Sequence, residues 1–112
     1  MLNKNEIIKI INNGGATLNK AGAAITFKKG YQVSRRDCYK LNAEKVNEIA
    51  GAIRDVLSRI DSGVFCGVWI DSGVCYIDIS ERIKNRKKAL KVAAARRQIS
   101  VFDWAAGDCI YL

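Results

Sequence analysis

VFCGVWIDSGVCYIDI, from Val64 to Ile79, decides the fold. Two apolar runs flank Asp71-Ser72-Gly73, and both are rich in the β-branched and aromatic residues that strands favour. Val64, Cys66, Val68 and Ile70 alternate with Phe65, Gly67 and Trp69. Cys75, Ile77 and Ile79 alternate with Val74, Tyr76 and Asp78. Neither run has a clean polar side, which predicts a hairpin in mid-sheet with both faces at least partly covered. With Ile70 opposite Val74, Cys66 faces Asp78, Cys75 faces Trp69, and Phe65 meets Ile79. A Cys66–Cys75 disulfide needs a different register.

Helix signals stand on either side. Upstream, Asn42 to Ile60 places Val46, Ile49, Ala50, Ile53, Leu57 and Ile60 on one apolar stripe. Asn42 is the expected N-cap, and Asp61-Ser62-Gly63 closes the helix. Asp55 and Arg59 form an i,i+4 pair, and Gly51 is expected to mark close packing on the sheet. Downstream, Asn85 to Gln98 is a second helix with Leu90 central to its inner face, beside Ala93, Ala94 and Ile83. Lys84, Lys87, Lys88 and Lys91 fall together on one flank. Residues 3–12 give a short first helix, capped by Asn3 or Asn5 and ended by Asn12-Asn13-Gly14-Gly15.

Residues 16–36 read as an antiparallel meander of Ala16–Leu18, Ala24–Phe27 and Tyr31–Ser34, with turns at Asn19–Gly22 and Lys29-Gly30. Ile99–Trp104 and Cys109–Leu112 read as a closing hairpin. The order predicts an α+β fold, a mainly antiparallel sheet with helices packed on one face. Its core is a split β-α-β-β-α-β unit, preceded by a helix and a β-meander.

The 112 residues form one expected domain, 1–112, with 49% hydrophobic and 27% charged residues and no proline. No apolar run reaches membrane-spanning length, and Met1–Ile10 lacks the pattern of a secretory signal, so a cytoplasmic location is expected. Cysteines stand at 38, 66, 75 and 109 with no C-x-x-C pair, and histidine is absent. That removes the usual zinc patterns and every imidazole-dependent mechanism, and no cofactor is implied. Cys66, Cys75 and Cys109 lie in apolar runs and read as small buried hydrophobes. Cys38, among Arg35, Arg36 and Lys40, has cations that would lower a thiol pKa but no histidine or resolving cysteine close by, and reads as structural or incidental.

Charge is unevenly placed on a chain of formal net charge +8. Arg82 to Arg97 holds Arg82, Lys84, Arg86, Lys87, Lys88, Lys91, Arg96 and Arg97 without an acid. Lys28, Lys29, Arg35 and Arg36 form a second group near the expected strand ends. Cations along one path suit an anionic partner such as DNA or RNA, and Tyr31, Trp69, Tyr76 and Trp104 are candidate stacking faces. The plainer alternative is a solvated helix exterior with its aromatics in the core. Asp71, Asp78, Glu81, Asp103 and Asp108 are the carboxylates a small metal-dependent nuclease would need. Asp71 and Asp108 have a turn explanation, and Glu81 suits a cap or a pair with Arg82 or Lys84.

The runs GGATL (14–18), KKGYQVSRRD (28–37), GVWIDSGVCYIDIS (67–80) and ALKVAAARRQISVFDWA (89–105) resemble small uncharacterised accessory proteins encoded by phages and prophages of Gram-positive bacteria. The resemblance implies a setting rich in anti-defence proteins, including anti-CRISPR inhibitors. These are compact non-enzymatic domains that block a nuclease or ribonucleoprotein complex. It carries no functional residues with it, and the basic surface departs from the acidic DNA mimicry of many such inhibitors. The expectation is a non-catalytic binding protein of phage or mobile-element origin that inhibits a host defence nuclease through Lys84–Arg97. A nucleic-acid-binding accessory protein using the same helix is the alternative. A homodimer through an exposed strand edge is compatible with the sequence.

Overall fold

In the computed structural model, which describes residues 2–112, nine elements follow one another. They are α1 (Lys4–Asn12), β1 (Gly15–Leu18), β2 (Tyr31–Asn42), α2 (Val46–Arg59), β3 (Phe65–Asp71), β4 (Val74–Ile83), α3 (Arg86–Ala95), β5 (Ser100–Asp103) and β6 (Asp108–Tyr111). The strands make one antiparallel sheet in the order β1-β3-β4-β2-β5-β6. β2-α2-β3-β4-α3-β5 is the expected split unit; β1 is added outside β3 and β6 outside β5.

One face of this sheet carries all three helices. Leu18, Cys66, Val68, Cys75 and Ile77 pack there with Ile7 and Ile10 of α1 and with Ile49, Ala52, Ile53 and Val56 of α2. Val33, Ile83 and Val101 form a second cluster on the same face with Ala89 and Ala93 of α3. The alternation of the strands accounts for this directly, since residues two apart share a face.

The central hairpin closes more tightly than expected. Ile70 pairs with Cys75 and Asp71 with Val74, leaving Ser72 and Gly73 as a two-residue loop. Both have positive φ, 50° and 78°, as a primed hairpin turn requires for strands with right-handed twist. The one-residue slip places Cys66 opposite Ile79, Trp69 opposite Tyr76, Phe65 opposite Ser80, and Asp78 opposite Gly67. All four cysteines are free; Cys66 and Cys75 are buried, but Cys109 is exposed on the edge strand β6. Burial pushes the Cys66 thiol up to about 12 and the Cys75 thiol up to about 11, so both behave as apolar groups.

The meander forms only at its first turn. Leu18 bridges Ala24, with the Ile25 N–H donating to the Thr17 carbonyl at 2.8 Å, but β1 pairs otherwise with β3, and 24–27 makes no ladder with 31–34. Phe27 instead crosses to the helix-free face, packing edge-on to Phe65 and Trp104. β2 runs for 12 residues through Arg35-Arg36-Asp37-Cys38; only Tyr31 and Gln32 also pair with β5, so the polar run is held by β4 alone with its other edge open, and two register shifts absorb it.

The helices also differ in detail. Asn3 caps α1 in a full capping box with Glu6. α2 begins at Val46 without a side-chain cap, while Asn42 ends β2 and accepts the Glu44 N–H. Its buried face centres on Ile49, Ile53 and Val56; Val46, Ala50 and Leu57 lie at the margin. In α3 the buried residues are Ala89 and Ala93, with Leu90 partly buried and Ala94 exposed.

Gly51 does not mark a close approach: a Cβ built there meets nothing within 4 Å. Its backbone entropy is therefore a net cost to α2. Gly51→Ala is expected to stabilise the chain by about 0.5–1 kcal/mol, read as a higher urea midpoint with an unchanged slope.

Candidate polyanion-binding surface

α3 exists because Ala89 and Ala93 let it sit close to β2, β4 and β5, and because Asn85 caps its start by accepting the Lys88 N–H at 2.9 Å. Its first turn is Arg86-Lys87-Lys88 and contains no acid. Cations at this end oppose the helix dipole, at a cost of about 0.3–1 kcal/mol each. Lys84, Arg86, Lys87, Lys88, Lys91 and Arg97 are all exposed. The ion pairs among the described residues are Arg35–Glu81, Arg59–Asp55 and Arg96–Glu81, so these six cations have no intramolecular counter-charge.

The other basic segment is split. Tyr31 pairs with Ile83, and Arg82 Nε donates to the Lys29 carbonyl at 2.9 Å. Exposed Lys28 and Lys29 thus lie beside Arg82, whose guanidinium covers Phe27 on the helix-free face, two residues before Lys84 in sequence. At the C-terminal end of α3, Arg96 Nη1 donates to the Ser34 carbonyl at 3.3 Å, bringing Arg35 and Arg36 beside Arg96 and Arg97. Arg35 and Arg36 therefore lie at an irregularity within β2, not at a strand end. The ten-residue helix is about 15 Å long, the span of several successive phosphates.

Arg35 and Arg96 differ from the rest. Glu81 clamps both, at 2.5 and 3.0 Å, its side chain 19% exposed. Burial opposes ionisation of Glu81, but hydrogen bonds from Arg35 and Arg96 outweigh it and hold the carboxyl below its ordinary value. This contribution is present above the unfolded-state pKa and is lost as pH falls through the folded-state value. Glu81→Gln is expected to cost about 1 kcal/mol at pH 7, checked by urea denaturation, with the difference from the parent vanishing in acid.

The expected carboxylate group is not assembled. Asp71 lies at the hairpin turn. Asp103 Oδ1 accepts the Ala105 and Ala106 N–H groups, and Asp108 Oδ1 accepts the Cys109 N–H. Glu81 is taken by two arginines. Among the described residues no group of three or more Cys, Asp or Glu side chains is placed to hold a metal ion. Asp78 alone keeps no such explanation, and its register partner is Asp37, a residue the sequence did not single out.

The helix-free face divides in two. Toward the Lys28-Lys29 end, Phe27, Phe65, Phe102 and Trp104 form an edge-to-face cluster with the Arg82 guanidinium over Phe27. Trp104 Nε1 donates to Gln32 Oε1 at 3.1 Å. Toward the hairpin turn, Trp69 and Tyr76 stack with centroids 4.6 Å apart, and Lys40 Nζ lies over Tyr76. Tyr31 packs into the second core cluster. Of the four expected stacking residues, only Trp69, 40% exposed, is strongly open to solvent. No helix among the described residues is long and apolar enough to cross a membrane. Compared with models of known protein families, with curated proteins and with solved structures, the chain matches none.

Proposed function

We propose that this chain is a non-catalytic binding protein that takes nucleic acid on the α3 surface. The observation that carries this reading is the set of six exposed, unpaired cations, Lys84, Arg86, Lys87, Lys88, Lys91 and Arg97, three of them crowded where the helix dipole disfavours them. Intramolecular stability does not account for that arrangement; an external row of anions does. Arg36 extends the path, whereas Arg35 and Arg96 position it through Glu81. The test is an electrophoretic shift series with single-stranded DNA, duplex DNA and RNA at low and physiological salt, with Mg²⁺ added in parallel lanes. Retarded, uncleaved nucleic acid at low salt is the expected result. Absence of any shift at low salt would reject the proposal.

A protein partner is the second reading, and one observation favours it. Ala94 and Ala95 are exposed at the end of the cationic stripe, and Ile99 just beyond is 66% exposed. Such an apolar flank suits an acidic protein surface better than phosphates. With the resemblance to phage accessory proteins, this reading is an inhibitor of a host defence nuclease of the CRISPR type. It predicts protection of an invading plasmid in an interference assay; unimpaired interference across diverse defence systems would dispose of it.

A further inference from the structure

The sheet leaves strand edges open at β1, along β2 beyond Gln32, and at β6. The first two are guarded. Residues 23–25 fold back on β1, with Leu18 bridging Ala24 and the Ile25 N–H donating to the Thr17 carbonyl. On β2, two register shifts and exposed Arg35, Arg36 and Lys40 break up the edge, devices that keep strand edges from pairing. β6 has neither protection. Its pairing with β5 runs without a shift. Tyr111 is 74% and Leu112 53% exposed, and the chain's 19 Lys and Arg residues end at Arg97.

The β5 ladder fixes which groups of β6 face outward. The Leu112 N–H donates to the Ile99 carbonyl at 2.9 Å, and hydrogen-bonded pairs alternate with non-bonded ones in an antiparallel ladder. Ile110 therefore bonds inward to Val101, while the N–H and carbonyl groups of Cys109 and Tyr111 point away from β5. In the single chain Asp108 Oδ1 accepts the Cys109 N–H at 2.8 Å, a cap that a strand carbonyl can replace.

We propose that the chain pairs with a second copy of itself, β6 against β6 in antiparallel register, with Ile110 opposite its own mate. Cys109 then faces Tyr111 of the other copy, and each such pair exchanges both N–H···O bonds through the outward groups. The faces match as well. Ile110, which packs on the α3 cluster, meets Ile110 on the helix-bearing face, and Cys109 meets Tyr111 on the helix-free face. Charge selects a second copy as the occupant. Two chains of net charge +8 repel where their basic surfaces meet, and residues 98–112 carry no Lys or Arg. An acidic partner finds no cation on this edge. The dyad stands perpendicular to the sheet, so the dimer is one continuous sheet with both α3 helices on the same face. The pairing does not depend on what α3 binds.

The test is sedimentation equilibrium of the full chain at physiological salt, from micromolar to near-millimolar concentration. A mass rising from one chain to two, and no further, is expected. Tyr111→Pro removes an outward N–H that the β5–β6 ladder does not use, at an edge position that tolerates proline. Tyr111→Lys replaces an exposed apolar contact with a charge. Each is expected to raise the dimer dissociation constant by about tenfold or more. Circular dichroism checks that the variants are folded, and slowed hydrogen exchange of the Tyr111 amide at high concentration reports the β6 edge itself. A chain that stays monomeric throughout, that grows beyond a dimer, or whose dimer is undiminished in the folded variants overturns the proposal.

Discussion

At pH 8, Asp78→Asn is expected to be about 2–3 kcal/mol more stable than the parent chain. Burial first, and the Asp37 charge second, raise the Asp78 carboxyl from 3.8 to about 6. Two pKa units correspond to about 3 kcal/mol, an upper value because the substituted amide must also find partners. The sign follows from proton uptake. Between about pH 4 and pH 6 the folded chain holds a proton on Asp78 that the unfolded chain has released. Stability from this group therefore falls as pH rises through that window, and the penalty is complete above it. At pH 5 the gap between variant and parent should shrink by about half. Glu81 and Asp55, whose carboxyls are held low, work in the opposite direction in acid. Urea denaturation at pH 8 and pH 5 measures both values. A variant less stable than the parent at pH 8 contradicts the burial account of Asp78.

Reversing charge at Lys84, Lys87, Lys88 and Lys91, each to Glu, is expected to weaken binding at low salt by at least about a hundredfold. Four cations are lost from one path and four anions take their place. The same change should leave the fold intact or slightly firmer, since an acid in the first turn of α3 complements the dipole where Lys87 and Lys88 oppose it, by about 0.3–1 kcal/mol each. Loss of binding with an unchanged or higher melting temperature separates a surface effect from unfolding. Retained affinity in the reversed protein would remove α3 from the interface.

Much of this architecture is legible in the residues, and the departures have local causes. The Val64–Ile79 alternation marks both strands, yet the register turns on Ser72 accepting a positive φ, which composition does not signal. The Lys28–Asp37 run looks too polar for mid-sheet, and only its Tyr31-Gln32 stretch lies between two strands; Arg35–Asp37 pair irregularly with β4 alone and leave an open edge. Phe27 looks like a strand residue because its partners, Phe65 and Trp104, are distant in sequence. The basic helix is plain from Arg82–Arg97, but its joining to Arg35-Arg36 depends on the β2–β4 pairing and on Glu81. Asp37 was invisible as a partner of Asp78 for the same reason: the two meet only when the strands are in register.

The most direct measurement is the salt dependence of binding of a short labelled oligonucleotide, followed by fluorescence anisotropy from low to physiological salt. Four to six phosphate contacts along α3 predict that the logarithm of the association constant falls linearly with the logarithm of salt, with a slope of about −3 to −5. An affinity indifferent to salt would contradict phosphate binding by the α3 cations.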